Sequence, residues 1–141
     1  IAAGRHANRV VVTASVDQVS FHNPIKIGDV VTIIAKVTRV FNTSIEVYVD
    51  VSAENLPTQT KYKCNDAFYT FVALDSNGKP THVAPLEPET EEEKNQYERA
   101  MRRRELRLVL AGKIKPTDAP KLAEIFQREM QDKEAQGSQS T

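Results

Sequence analysis

Residues 9–21 read RVVVTASVDQVSF, residues 29–41 read DVVTIIAKVTRVF, and residues 44–51 read SIEVYVDV. These three stretches decide the fold. Each is dense in β-branched residues, which suit a pleated, half-buried surface. In the third, Ile45, Val47, Val49 and Val51 alternate with Glu46, Tyr48 and Asp50. A period of two predicts a strand with one face buried. Asn23-Pro24 ends the first stretch, because a residue before proline avoids helical geometry. Gly28-Asp29 marks the turn into the second, and Phe41-Asn42-Thr43-Ser44 forms a hairpin tip. Further along, residues 54–58 predict a turn and residues 61–74 a long fourth strand. Residues 75–79 (DSNGK) predict a hairpin-type loop leading to a short strand over residues 80–83.

Helical signals lie at the two ends. Residues 1–8 form a helix stub, apolar at Ile1, Ala2, Ala3 and Ala7, and read as the end of a helix whose first turns precede this chain. After a linker holding Pro85, Glu87 and Pro88, Thr90 and Glu93 match a capping box, in which two orphan amides are satisfied reciprocally. A helix is predicted from about Glu91 to Leu110, acidic at its start and basic toward its end, an order that complements the helix dipole. A second helix follows Asp118, with Leu122, Ile125 and Phe126 on one face, and residues 136–141 read as a disordered tail. Consecutive antiparallel strands with terminal helices predict an α+β fold. Its curved sheet needs a cover on one face, and a helix preceding the first strand is the natural one. The expected organisation is one domain over residues 1–110 and a helical extension with its tail over residues 111–141.

Composition narrows the function. The chain has 141 residues, 40% of them hydrophobic, enough for one domain with its own core. Nineteen basic residues balance nineteen acidic ones, so no global field draws in nucleic acid or an anionic membrane. The basic cluster at residues 102–107 is short and lacks interleaved aromatics, which further disfavours nucleic acid. No run approaches the roughly 18 apolar residues of a membrane span, and no secretory signal is visible. Cys64, the one cysteine, has no internal disulfide partner. It predicts a reducing, cytoplasmic compartment and reads as a buried small hydrophobe.

The residues that invite chemistry are polar patches inside apolar runs. Thr13-Ala14-Ser15 interrupts the first strand and Asn42-Thr43-Ser44 sits at the hairpin tip. Buried hydroxyls are costly without partners, so both patches look placed to bond something. On the residues alone, the first reads more readily as a polar strand face and the second as ordinary turn chemistry. Arg102, Arg103, Arg104 and Arg107 read as a solvated helix face paired with neighbouring glutamates. His6, His22 and His82 are scattered without metal-ligand spacing. Ser15, Asp17 and His22 do not make a triad: no G-x-S-x-G elbow is present. Asp66, inside a strand, needs partners and reads as a structural acceptor.

Several strings together resemble one family, the hotdog-fold acyl-coenzyme A thioesterases. Arg5-His6-Ala7 with Val12-Thr13-Ala14-Ser15-Val16-Asp17 resembles the segment after the family's central helix. Lys36-Val37-Thr38-Arg39-Val40-Phe41-Asn42-Thr43-Ser44-Ile45-Glu46-Val47 resembles its second hairpin. Phe68-Tyr69-Thr70-Phe71-Val72-Ala73 is similar to its fourth strand, and Arg102-Arg103-Arg104-Glu105-Leu106-Arg107-Leu108 to its basic helix. The likeness covers about residues 1–110 in matching order.

The resemblance implies a hotdog, a curved antiparallel sheet around a central helix of which this chain holds only the end. It implies hydrolysis of acyl-CoA to fatty acid and coenzyme A at a dimer interface, with dimers often assembled into hexamers as trimers of dimers. It implies no cofactor beyond the coenzyme A of substrate and product. Thr13, Ala14 and Ser15 match the segment lining the pantetheine channel. Asn42, Thr43 and Ser44 match the tip that meets the coenzyme, and Arg104 matches a basic position associated with its nucleotide end. The family's catalytic carboxylate falls ahead of Ile1, and no acidic residue of this chain matches it, so no catalytic residue is carried over. The alternative expectation is a non-catalytic hotdog module that binds acyl-CoA or mediates oligomerisation.

Overall fold

The computed structural model describes residues 1–137. The element order is α1 (Ala2–Ala7), β1 (Val10–Phe21), β2 (Val30–Phe41), β3 (Ser44–Asn55), β4 (Thr60–Leu74), α2 (Glu91–Leu110) and α3 (Pro120–Gly137), with a 3-10 turn at Pro116–Asp118. The chain forms two compact units, Ile1–Tyr97 and Glu98–Thr141, and the division falls inside α2.

The first unit is a four-stranded antiparallel sheet in the order β1-β4-β3-β2. β2 and β3 form a tight hairpin. The first strand crosses to the far edge and pairs with the last. Residues directly opposite in antiparallel strands share a face, so Val37, Val47 and Tyr69 line one side of the sheet, as do Ile45 and Phe71. The short helix α1 lies on that side. Ala3, Val40, Ile45, Val47, Ala73 and Val83 form the buried core, with Val11, Val49 and Phe71 packed against it. α1 ends at Asn8 in the left-handed conformation (φ 52°), whose amide donates to the Gly4 carbonyl at 2.8 Å. On that side Val16 and Ile33 remain 48% and 66% exposed, so the six residues of α1 cover only part of the apolar surface the strands present.

The four strands occupy the stretches the sequence predicts, with shifted ends. β3 runs through Asn55 and the turn follows at residues 56–59 rather than 54–58. The short strand expected over residues 80–83 does not form. One bridge, Leu74 to Pro80, replaces it, since proline at the bridge has no N–H to extend a ladder. The loop before it is held by Asp75, whose Oδ1 accepts from the Asn77 and Lys79 amides at 2.8 and 2.9 Å, and Gly78 supplies the positive φ of 72°.

The capping box at the start of α2 forms as expected. The Thr90 hydroxyl accepts from the Glu93 amide at 3.1 Å, and Glu93 Oε2 accepts from the Thr90 and Glu89 amides at 3.2 and 2.8 Å. Those amides hold the Glu93 carboxyl below the ordinary carboxylate range.

In the second unit, α2 stops at Gly112 (φ 69°), the conformation glycine supplies most cheaply at a helix C-terminus. The buried Glu105 carboxylate then accepts from the Leu122 amide at 2.8 Å, satisfying an orphan donor of the first turn of α3. Leu122 and Ile125 are half-buried, but Phe126 is 59% exposed. Gln136 and Gly137, expected in a tail, belong to α3. The rest of that expected tail, residues 138–141, lies outside the described residues.

Candidate functional site

β1 is not a regular strand at the first polar patch. Its pairing moves from Thr13↔Phe71 directly to Ser15↔Thr70, leaving Ala14 as an extra, unpaired residue. This is a β-bulge, which bends a strand and re-aims its side chains. Thr13 and Ala14 are exposed; Ser15 is half-buried and donates to Asp17 Oδ2 at 3.1 Å. The expectation of buried hydroxyls therefore applies to Ser15 in part and to Thr13 not at all. A second irregularity spans Asp17 to Ser20, where Gln18 has φ 48°.

The second patch is a two-residue turn between β2 and β3. Asn42 takes a left-handed conformation (φ 50°), tolerated by asparagine better than by most residues. Its carbonyl accepts from the Val83 amide at 2.8 Å, and the Thr43 carbonyl accepts from the Ala73 amide at 3.0 Å. The Ser44 hydroxyl donates to the Phe41 carbonyl at 3.4 Å. Asn42 is exposed; Thr43 and Ser44 are half-buried.

The sheet brings the two patches onto neighbouring rows. Val12 and Ser44 both pair with Val72, while Thr13 and Ile45 both pair with Phe71. Stretches some thirty residues apart in sequence thus sit with only β4 between them, two strand spacings or about 10 Å. Thr13 shares the α1 side of the sheet with Ile45, and Ser44 points the other way. Arg104 belongs to the second unit, is half-buried in α2, and has interactions of its own.

The histidines are less scattered than their sequence positions suggest. The His82 ring Nδ1 lies 2.8 Å from Asn42 Oδ1 and the His6 ring Nε2 lies 3.0 Å from the Ala84 carbonyl. Both acceptors are oxygens, so Nδ1–H of His82 and Nε2–H of His6 are the donors. The segment around Val83, itself buried, is stitched between α1 and the hairpin tip. No sequence pattern signals this meeting, which only the antiparallel pairing creates.

His22 stands apart, 3.0 Å from Asp66 Oδ2, which also receives Lys63 Nζ at 2.7 Å. Burial pushes the Asp66 carboxyl up, but the hydrogen bonds and charges of Lys63 and His22 outweigh it and hold it below the ordinary range. Asp66 is therefore the structural acceptor the sequence suggests. Cys64 is buried, as expected. Among the described residues no group of three or more His, Cys, Asp or Glu side chains is arranged to hold a metal ion. None of their helices is long and apolar enough to cross a membrane.

A groove of about 1100 Å³ lies elsewhere in the first unit, lined among others by Lys36, Tyr48, Asp50, Lys63, Glu89 and Glu93. Neither polar patch contributes to its walls.

With this geometry in hand, comparison with known proteins is specific. The family model for the thioesterase superfamily matches residues 1–59. The cytosolic acyl coenzyme A thioester hydrolase of Rattus norvegicus is 43% identical over 100 residues, covering 70% of this chain and 26% of that protein. The uncharacterized acyl-CoA thioester hydrolase YkhA of Bacillus subtilis is 50% identical over 93 residues, 66% of this chain and 54% of that one. The chain thus spans about a quarter of the rat relative and about half of the bacterial one. Among solved structures, an apo hexameric acyl-CoA thioesterase superposes with a TM-score of 0.74 at 45% identity, covering 77% of this chain and 70% of the other. An acyl-CoA hydrolase from Staphylococcus aureus, in complex with butyryl coenzyme A, coenzyme A and coenzyme A disulfide, superposes at 0.68 with 34% identity over 94% of this chain and 73% of that one. The hotdog fold expected from the sequence is the fold of this sheet and helix.

Proposed function

The chain belongs to the acyl-CoA thioesterases of the thioesterase superfamily, and on that premise we propose that it hydrolyses acyl-CoA thioesters to free fatty acid and coenzyme A. The observation that carries this reading is the 45% identity and shared fold with a solved acyl-CoA thioesterase over 77% of the chain. The Staphylococcus aureus neighbour, seen with butyryl coenzyme A and coenzyme A, supports the substrate class.

In this reading water adds to the thioester carbonyl, the C–S bond breaks, and the thiolate leaves with a proton as coenzyme A. Residues 1–110 form the domain that holds the substrate, and no residue of this chain is assigned to the bond-breaking step. The bulge at Thr13, Ala14 and Ser15 offers backbone amides and hydroxyls to the pantetheine amides. Asn42, Thr43 and Ser44 meet the coenzyme at the hairpin tip. Arg104 pairs with phosphate, which a guanidinium fork suits better than a point charge. Coenzyme A enters as part of the substrate, and no separate cofactor is required. The protein self-associates as a dimer and further as a hexamer, the state named for several of its structural neighbours. The name of the rat relative supports a cytoplasmic location.

The test is thiol release from acyl-CoA substrates of several chain lengths by the full-length protein, with the fatty acid product identified. Turnover with stoichiometric acid and thiol is expected. An intact protein that binds coenzyme A and releases no thiol contradicts the enzymatic reading and leaves a binding module.

A further inference from the structure

Arg39 resumes the β2 ladder after the irregularity at Thr38 and stands two residues before Phe41, the first residue of the hairpin tip. Residues two apart on a strand share a face, and the Arg39 guanidinium carbon lies 5.1 Å from the centre of the Phe41 ring. It also lies 3.9 Å from the centre of the Tyr97 ring, and Nη1 donates to the Tyr97 carbonyl at 2.9 Å. Tyr97 belongs to the second turn of α2. One side chain thus ties the last residue of β2 to the start of that helix. It does so at a cost: Arg39 Nε is buried and has no hydrogen-bond partner among the described residues. An unmet buried donor destabilises a fold, and an unbranched apolar side chain fills similar space without one. Stability alone does not account for an arginine here. Only a planar guanidinium offers its face to two rings and its edge to a carbonyl at once.

We propose that Arg39 is a positioning residue for coenzyme binding: by clamping Phe41 against Tyr97 it holds the tip at Asn42, Thr43 and Ser44 in the geometry that meets coenzyme A, and it acts through the tip rather than by contact. The inference rests on the reading that the tip meets the coenzyme. The tip is already bonded from its other side. The Ala73 amide donates to the Thr43 carbonyl at 3.0 Å and the Val83 amide to the Asn42 carbonyl at 2.8 Å. Those bonds fix the main chain toward β4 and the segment that follows it. The Arg39 clamp fixes the β2 leg, so the two-residue turn is held at both of its ends. A contact placed in this way loses strength when its support is loosened, even where the contacting side chain is untouched.

The test is a pair of double-mutant cycles, read by calorimetric titration of the full-length protein with coenzyme A at a temperature where circular dichroism shows every variant folded. Arg39→Met removes the guanidinium and keeps its bulk. Thr43→Val removes a hydroxyl of the tip, and Ser15→Ala alters the bulge of β1, on the far side of β4. Arg39→Met is expected to weaken coenzyme A binding about fivefold, within the range for residues coupled through contact, and to raise KM more than it lowers kcat. With Thr43→Val already present, the further loss is expected to shrink to less than about twofold, because the contact being positioned is gone. With Ser15→Ala present it is expected to keep its full size. Arg39→Lys keeps the charge without the planar fork; it is expected to lose affinity in the same direction and carries the cycles if the methionine variant does not fold. Wild-type affinity in the Arg39 variant overturns the proposal, as does a loss of equal size in all three backgrounds or one that shrinks equally in both. If Thr43→Val weakens binding and the Arg39 variant does not, the tip reading stands and the role of Arg39 falls. If Asn42→Ala and Thr43→Val both leave coenzyme A binding unchanged, the tip does not meet the coenzyme and both readings fall.

Discussion

The Thr38 hydroxyl donates to Glu46 Oε1 at 2.6 Å, and both side chains are buried, 7% and 1% exposed. Thr38 sits in the β2 irregularity between Val37 and Arg39, where the extra residue swings its side chain toward β3. A buried carboxyl that loses one of its donors is less fully compensated for its desolvation, although Glu46 keeps other interactions. Thr38→Val should therefore lower stability by about 1–3 kcal/mol, read as a shift in the urea midpoint at unchanged slope. An unchanged midpoint contradicts the buried bond.

Acid should weaken the fold through Asp66. Its folded carboxyl lies below its unfolded value, so its contribution is present above the unfolded pKa and is lost as pH falls through the folded one. Lys63, raised chiefly by its hydrogen bond to Asp66, contributes below its unfolded value and is fully in place at neutral pH. Stability should hold across neutral pH and fall below about pH 4. Asp66→Asn should flatten that acid limb while costing stability at pH 7. Melting curves across the range check this; a variant with the wild-type acid limb contradicts it.

The capping box sets where α2 begins. Thr90→Ala removes the acceptor for the Glu93 amide and should cost about 1 kcal/mol. Amide hydrogen exchange is expected to quicken at residues 91–94, with the rest of the helix little changed. Uniform protection in the variant argues against the cap.

At the proposed coenzyme site, Thr43→Val and Ser44→Ala should raise KM more than they lower kcat, because contacts remote from the thioester bind ground state and transition state alike. A dominant loss of kcat means the hairpin lies closer to the chemistry than proposed.

Arg104→Ala should weaken coenzyme A binding by about 1–3 kcal/mol, the scale of a lost charge-assisted contact. Calorimetry with coenzyme A and with pantetheine reads it: a loss confined to coenzyme A supports the phosphate role, and unchanged affinity refutes it. Thermal melting of the variant separates a binding loss from unfolding, since Arg104 also has interactions within the chain.

Local chemistry made most of the fold legible. The alternation from Ile45 to Val51 fixes which side of β3 is buried, and Thr90 with Glu93 marks the first turn of α2, because each signal acts within a few residues. The bulges at Ala14 and Thr38 were not legible: an extra residue is decided by the partner strand, and the sequence of β1 alone does not say which residue Phe71 will face. The short strand expected at residues 80–83 failed for a related reason. Two of its amides go instead to Ala73 and Asn42, a choice made by tertiary packing around buried Val83. The same packing hid the meeting of His6, His82 and Asn42. The polar patches at residues 13–15 and 42–44 were visible as interruptions of apolar runs. Their nearness across β4 follows only from strand order.

Amide chemical-shift mapping of the full-length protein during a coenzyme A titration tests most directly whether these patches hold the substrate. Saturable shifts concentrated at Thr13, Ala14, Ser15, Asn42, Thr43 and Ser44, smaller with pantetheine at the tip than at the bulge, are the predicted result. Binding that leaves these six amides unmoved and shifts residues elsewhere contradicts the account.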